Sequence, residues 1–250
     1  ELGVQLFDRS RRSIRLNEAG RTYLRYVNEV FSALENGSAA LRDISEEREK
    51  NITLAMGSSL VWTPMIHEFH RLHPAYVLRQ NNYTTDRLNQ ALQERTIDYV
   101  IASDSDIYAE GLERCWIKDD RVYLCVSRDH PLAGRKEVRL SDLKDENFIN
   151  LPSGFPWREY CDRLMASAGI QIHSTIECDY TMRGPLLESG FGVALTTSTA
   201  KQIDLLRPNC YVPVADQSAL RKMYLFWNPR RYISRDALDF KEFCVSFYRG

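Results

Sequence analysis

Between residues 23 and 44 the positions Tyr23, Val27, Val30, Leu34, Gly37, Leu41 and Ile44 step by 4, 3, 4, 3, 4 and 3. A period of 3.5 held for about three repeats fits an α-helix and no strand, and it draws one narrow seam along that helix. The helix starts at Asn17, whose side-chain oxygen suits an N-cap, and runs to about Glu49, before Lys50 and Asn51. At 1.5 Å per residue such a rod is roughly 45–50 Å long, more than one small domain covers. The seam therefore needs an apolar partner. A left-handed pairing with a second helix through Tyr23, Val27, Val30, Leu34, Leu41 and Ile44 is the expectation. Leu24 and Phe31 widen the stripe, so one edge is expected to pack on the segment before the helix. Gly37 weakens it by about 1 kcal/mol relative to alanine.

Beyond Asn51 the rhythm changes. An apolar strand over 52–56 leads through Gly57, Ser58 and Ser59 into a helix carrying Met65, Ile66, Phe69 and Leu72, with Pro64 in its first turn and Pro74 past its end. A strand over 76–79, a helix opened by Thr84, Thr85 and Asp86, and a strand over 97–102 follow. Strands alternating with helices across short loops predict a parallel sheet with right-handed crossovers, hence an α/β fold. A hairpin-like pair over 112–118 and 122–127 comes next. A second α/β cycle then places strands over 147–151, 172–179 and 192–195, with helices over 157–168 and 183–189. A late strand over 223–227 and an amphipathic helix over 236–248 close the chain. Two similar α/β halves result, with crossovers expected near residues 129 and 224. The first half takes 51–128 and 224–250, the second 129–223.

The N-terminal stretch carries the chemistry that the rest lacks. Net charge is −1 overall, yet residues 9–25 hold six arginines against one acid, and 29–49 hold six acids against two arginines. Any polyanion contact is thereby confined to the N-terminal end. Arg9, Arg11, Arg12 and Arg15 fall on two short arms and the bend between them. Such a hairpin lays cations along a phosphate backbone, fixing register without reading bases.

The spacing Leu2-Gly3-x-x-Leu6-Phe7-x-Arg9, then Ile14-Arg15-Leu16, then Asn17-Glu18-Ala19-Gly20 resembles the wing of LysR-type transcriptional regulators. Asn17 stands where that family usually has threonine; both residues cap helices through a side-chain oxygen. The resemblance implies that 1–17 are the end and wing of a winged helix-turn-helix cut short at Glu1. It makes 18–50 the linker and dimerisation helix, and 51–250 an effector-binding domain of the periplasmic-binding-protein type. It also implies DNA as a partner of the full-length protein. These 250 residues would bind DNA weakly and without specificity, because base reading belongs to the recognition helix. A small-molecule effector, a homodimer or homotetramer and a cytoplasmic location are implied as well.

In a parallel α/β sheet, ligands lie beyond the carboxyl ends of the strands, facing helix N-termini. That rule selects Ser58, Ser59 and Leu60 after the first strand, Thr84 and Thr85 after the second, and Ser103 after the third. In the second half it selects Ser153, Thr196 and Thr197. Their hydroxyls and the loop N–H groups are the donors that a small carboxylate requires. The resemblance assigns the same loops to the effector pocket, with Ser58 at the most characteristic position. Trp62, Phe155 and Trp157 are placed to stack on a ring, and Arg183 to pair with a carboxylate.

No nucleophile elbow, P-loop, dinucleotide fingerprint or paired-carboxylate spacing stands out, so no catalytic residue is expected. His67, His70 and His73 drift off one helix face and no acid or cysteine completes a site, so no metal or cofactor is expected either. Six cysteines lack any CxxC pair. Without a signal peptide or long apolar run, they read as reduced, buried thiols. A solute-binding protein without a DNA role fits the cleft equally well, and an enzyme on the same fold is not excluded by fold. The wing and the seam favour the regulator.

Overall fold

A computed structural model describes residues 2–10, 13–44, 50–203 and 209–248. The chain opens with β1 (Phe7–Ser10) and β2 (Ser13–Leu16), an antiparallel hairpin that sets Phe7 opposite Leu16 and Asp8 opposite Arg15. Arg11 and Arg12, at the bend, lie outside the described residues. Asn17 caps α1 (Glu18–Ile44): the Gly20 N–H donates to its Oδ1 at 2.9 Å, while its Nδ2 donates to the Gln5 carbonyl at 2.9 Å. A Cβ at position 20 would lie 2.0 Å from the Leu6 carbonyl oxygen, so only glycine lets the helix approach this closely.

With 27 residues, α1 is about 40 Å long; the end expected near Glu49 falls outside the described residues. Apart from the half-buried Val27, its seam faces solvent, from Tyr23 at 41% exposure to Ile44 at 79%. Phe31, expected against the N-terminal segment, is 60% exposed. The opposite edge is bonded to the loop before the last helix. Asn36 donates to the Arg230 carbonyl at 2.9 Å and accepts from the Tyr232 N–H at 2.8 Å. Asp43 accepts from the Tyr232 hydroxyl at 2.8 Å and from the Arg235 N–H at 3.1 Å.

The remaining elements are, in order, β3 (Lys50–Met56), α2 (Thr63–Leu72), β4 (Tyr76–Asn82), α3 (Thr85–Glu94), β5 (Tyr99–Ser103) and β6 (Glu113–Val126). Then come β7 (Asn147–Asn150), α4 (Pro156–Ser167), β8 (His173–Glu177), α5 (Tyr180–Glu188), β9 (Ala194–Thr197), α6 (Ser198–Ile203), β10 (Cys210–Pro213), β11 (Leu220–Trp227) and α7 (Arg235–Phe247). In the first lobe β3 pairs parallel with β4 and β5, and β11 lies antiparallel beside β5. An aromatic cluster fills one face. Phe69 meets Phe240 edge to face at 5.0 Å and Phe243 at 5.2 Å, and the buried Tyr99 hydroxyl donates to the Ala237 carbonyl at 2.9 Å. Leu88, Ala91 and Leu92 of α3 cover the other face over Val100 and Phe226. The second lobe has its own core of Leu124, Leu140, Phe148, Leu164 and Met165, with β7 and β8 parallel.

One sequence expectation fails here. The hairpin-like pair over 112–118 and 122–127 is a single 14-residue strand, β6. Asp119-Asp120 suggests a turn, but both carboxylates have partners that keep the backbone extended. Asp119 accepts from Trp116 Nε1 at 3.0 Å. Asp120, buried, accepts through Oδ1 from the Ser198 hydroxyl at 2.7 Å and the Thr199 N–H at 2.9 Å. Up to Arg121 the strand pairs with β11; from Val122 it pairs with β9 and β10. It thus belongs to both lobes. Both β9 and β10 run antiparallel to it, as β5 and β6 run antiparallel to β11, and β8, β7 and β9 lie parallel as β4, β3 and β5 do, so the second half repeats the arrangement of the first.

Asp120→Ala strands the Ser198 hydroxyl and the Thr199 N–H and is expected to cost about 2 kcal/mol. Asp119→Ala, at an exposed position, should stay within about 0.5 kcal/mol of the parent. Urea unfolding of the two variants measures both.

Candidate functional site

The lobes touch along a seam at the carboxyl ends of β3, β4 and β5. Gly57 lies against Pro156 at the start of α4, so close that a Cβ there would sit 2.8 Å from the proline ring. Thr85 reaches across from the first turn of α3. Its N–H donates to the Gly154 carbonyl at 2.9 Å and its hydroxyl to Glu159 at 2.6 Å. Arg163 on α4 donates to the Ser105 hydroxyl at 3.1 Å and stands 3.5 Å from Asp106.

Behind the seam is an inner chamber of about 50 Å³, bordered by Ser58, Trp62, Trp157, Tyr180, Thr197 and Arg221. Arg221 is 7% exposed and donates to Asp106 at 2.7 Å. Its guanidinium lies 4.7 Å from the Tyr160 ring centre and 5.3 Å from that of Trp157. Asp106 is further held by the Ser103 N–H at 3.0 Å. This charge pair is therefore neutralised and hydrogen-bonded, the condition on which buried ions are tolerated.

An outer chamber of about 340 Å³ shares Val61, Tyr180, Thr196 and Ala200 with the inner one. Leu60, Leu187 and Ile203 give it apolar walls, and Arg183, Asn209 and Tyr211 its polar groups. Arg183, on α5, donates to the Leu195 carbonyl and lies 5.7 Å from the Tyr180 ring centre. Burial pushes the Tyr180 phenol up, while the Arg183 guanidinium and a hydrogen bond with Ser58 act in the opposite direction.

The candidate residues divide between these places. Ser58, Thr196, Thr197, Trp62 and Trp157 border the inner chamber; Leu60, Thr196 and Arg183 border the outer one. Ser59 is tied to the end of β4, its N–H donating to Asn82 Oδ1 at 2.8 Å. Thr84 takes the N-cap position of α3 and Thr85 belongs to the interlobe seam. Ser103 is buried in a turn, where its hydroxyl accepts from the Ser105 N–H at 3.3 Å. Ser153 is exposed, and Phe155 holds the N-cap position of α4. At the wing, the Arg15 side chain is exposed; the Arg9 side chain is outside the described residues.

Arg221, Asp106 and Tyr180 escape a search confined to strand-end hydroxyls. Arg221 has a legible signal, because it shares the buried phase of β11 with Met223 and Leu225. Asp106 has none before the fold is known. Among the described residues no group of three His, Cys, Asp or Glu side chains is placed to hold a metal ion, and no helix is long and apolar enough to cross a membrane.

Two α/β lobes sharing one strand, with chambers between them, define a small-molecule-binding domain of the two-lobed type. Residues 45–249 match the family model described as LysR substrate binding domain. The chain is 25% identical over 254 residues to the transcriptional dual regulator GltC of Bacillus subtilis, covering 99% of this chain and 84% of that protein. It is 25% identical over 236 residues to the HTH-type transcriptional regulator BenM of Acinetobacter baylyi, covering 90% and 76%. Among solved structures, a full-length OxyR variant from Pseudomonas aeruginosa superposes with TM-score 0.74 at 19% identity, covering 99% of this chain and 81% of that one. The effector-binding domain of BenM with its effector benzoate gives 0.68 at 22%, covering 80% and 93%. The chain belongs to the LysR family of transcriptional regulators.

Burial pushes the Cys161 thiol up to about 12. At pH 8 it is therefore protonated and no nucleophile, and a disulfide-exchange reagent should label it only after unfolding. A folded-state value above the unfolded one also means that stability falls as pH rises from about 9 towards 12. Cys161→Ser should flatten that part of the pH profile in urea titrations.

Proposed function

We propose that this chain is the sensing and dimerising part of a LysR-type regulator that works in the cytoplasm and performs no catalysis. In this reading residues 18–50 form the dimerisation helix and 51–250 the effector domain. The lobes, expected as 51–128 with 224–250 and as 129–223, exchange strand partners between Arg121 and Val122, which favours a mechanical boundary seven residues earlier on β6. A small molecule enters the interlobe chambers and meets Ser58, Leu60, Thr196 and Thr197. Ser59, Thr84, Thr85, Ser103 and Ser153 support it from the surrounding loops and the seam. Benzoate, the effector of BenM, makes a carboxylate the first class to consider.

The observation that carries this reading is α1. Its apolar seam, Tyr23, Val27, Val30, Leu34, Leu41 and Ile44, is open to a second copy, while its other edge is bonded through Asn36 and Asp43 to the effector domain. A change in lobe angle is thereby transmitted to the helix that sets the spacing of the two wings. At the wing, Arg9, Arg11, Arg12 and Arg15 contact phosphates.

The chain is expected to run as a dimer or tetramer in light scattering, and Val30→Glu with Leu34→Glu to make it a monomer. A monomeric parent would sink the pairing through α1. Duplex DNA should bind weakly and without sequence preference at low salt. Replacing Arg11 and Arg12 by alanine should reduce the slope of log K against log salt by about 2. Tight discrimination of one duplex sequence by these residues would overturn the phosphate-only role.

A further inference from the structure

We propose that the outer chamber takes a monocarboxylic acid with an apolar body, its carboxylate held by Arg183. This rests on the effector-pocket reading and assigns the chemistry of that pocket. Arg183 is 6% exposed. Its contacts are the Leu195 carbonyl and the Tyr180 ring, and among the described residues no carboxylate lies within ion-pair distance of it. Among the described residues its Nε–H has no acceptor, as is also true of Arg221 and Arg95, so what sets Arg183 apart is the lack of a carboxylate partner. The other well-buried arginines are treated differently: Arg221 pairs with Asp106, and Arg158 with Asp162 and Glu177. A buried cation without a counter-ion is costly, and an anion from solution removes that cost.

Two more polar groups in the same chamber await a partner. The Tyr211 hydroxyl and the Asn209 amide have none among the described residues. A carboxylate accepts from all three, as unpaired buried donors require. A volume of about 340 Å³ is at the low end of small-molecule pockets. Among the described residues that line the chamber Arg183 is the one cation, and the facing wall of Leu60, Val61, Leu187 and Ile203 is apolar, so the chamber suits a hydrocarbon body and disfavours a dianion. The inner chamber is the weaker candidate: it is smaller, and its arginine already has Asp106. Leu60 and Val61 come from the first lobe and the anchoring groups from the second, so an occupant touches both.

Calorimetric titration and thermal unfolding with phenylacetate, isocaproate, their neutral amides and succinate test this. The two acids should bind and raise the melting temperature, with the amides and succinate weaker by at least about tenfold. Arg183→Met should abolish binding while leaving the ligand-free melting temperature equal or higher; Arg183→Lys, should the Met variant not fold, should weaken binding by about tenfold. Undiminished binding to Arg183→Met or Arg183→Lys, or amides that bind as well as acids, would overturn the proposal. So would failure of both acids to bind the parent at millimolar concentration. In that case a neutral metabolite whose binding is lost in Ser58→Ala would leave the effector reading standing, and the absence of any hit in a metabolite screen would count against both.

Discussion

The geometry of the two lobes depends on the carboxylate of Asp120. It lies one residue before the point where β6 leaves β11 and takes up β9 and β10. A buried carboxylate there would be expensive if it were bare. It is instead hydrogen-bonded to the first residues of α6, so the strand that joins the lobes is pinned to the element that lines both chambers. The lobes have separate hydrophobic cores, one centred on Phe69 and Phe240, the other on Phe148 and Leu164. Separate cores joined by a shared strand can change their mutual angle without either one repacking.

The route from the chambers to α1 is short because it follows the chain. Arg221 borders the inner chamber on β11; the strand ends at Trp227, and the loop after it supplies Arg230 and Tyr232, which hold Asn36 and Asp43. Arg231 fixes the same loop to the first lobe, donating to Asp98 at 2.9 Å. One continuous segment thus touches the cleft, the first core and the long helix.

Patterns carried by local periodicity were legible in the sequence. The seam of α1, the Asn17 cap and the strand–helix alternation through β5 all depend on residues within a few positions of each other. What escaped depends on partners far along the chain. Asp119-Asp120 resembles a turn until Ser198 and Thr199 are brought to it. Thr85 reads as a plain helix start, yet its hydroxyl bridges to Glu159 in the other lobe. The strand-end rule pointed to Ser58, Thr196 and Thr197, which border the inner chamber because loops after parallel strands gather at one edge. It missed Arg221, which enters the cleft from an antiparallel strand, and β10 and α6 carry too short a pattern to be read at all.

The contact between Gly57 and Pro156 has a consequence for how such a domain responds. Backbone already rests on the proline ring, and the missing side chain is what lets the lobes come this near. The hinge therefore meets a mechanical stop at this angle, and its remaining travel is in the opening direction. An occupant of the cleft acts as a latch or as a wedge: it holds the lobes against the stop or props them away from it.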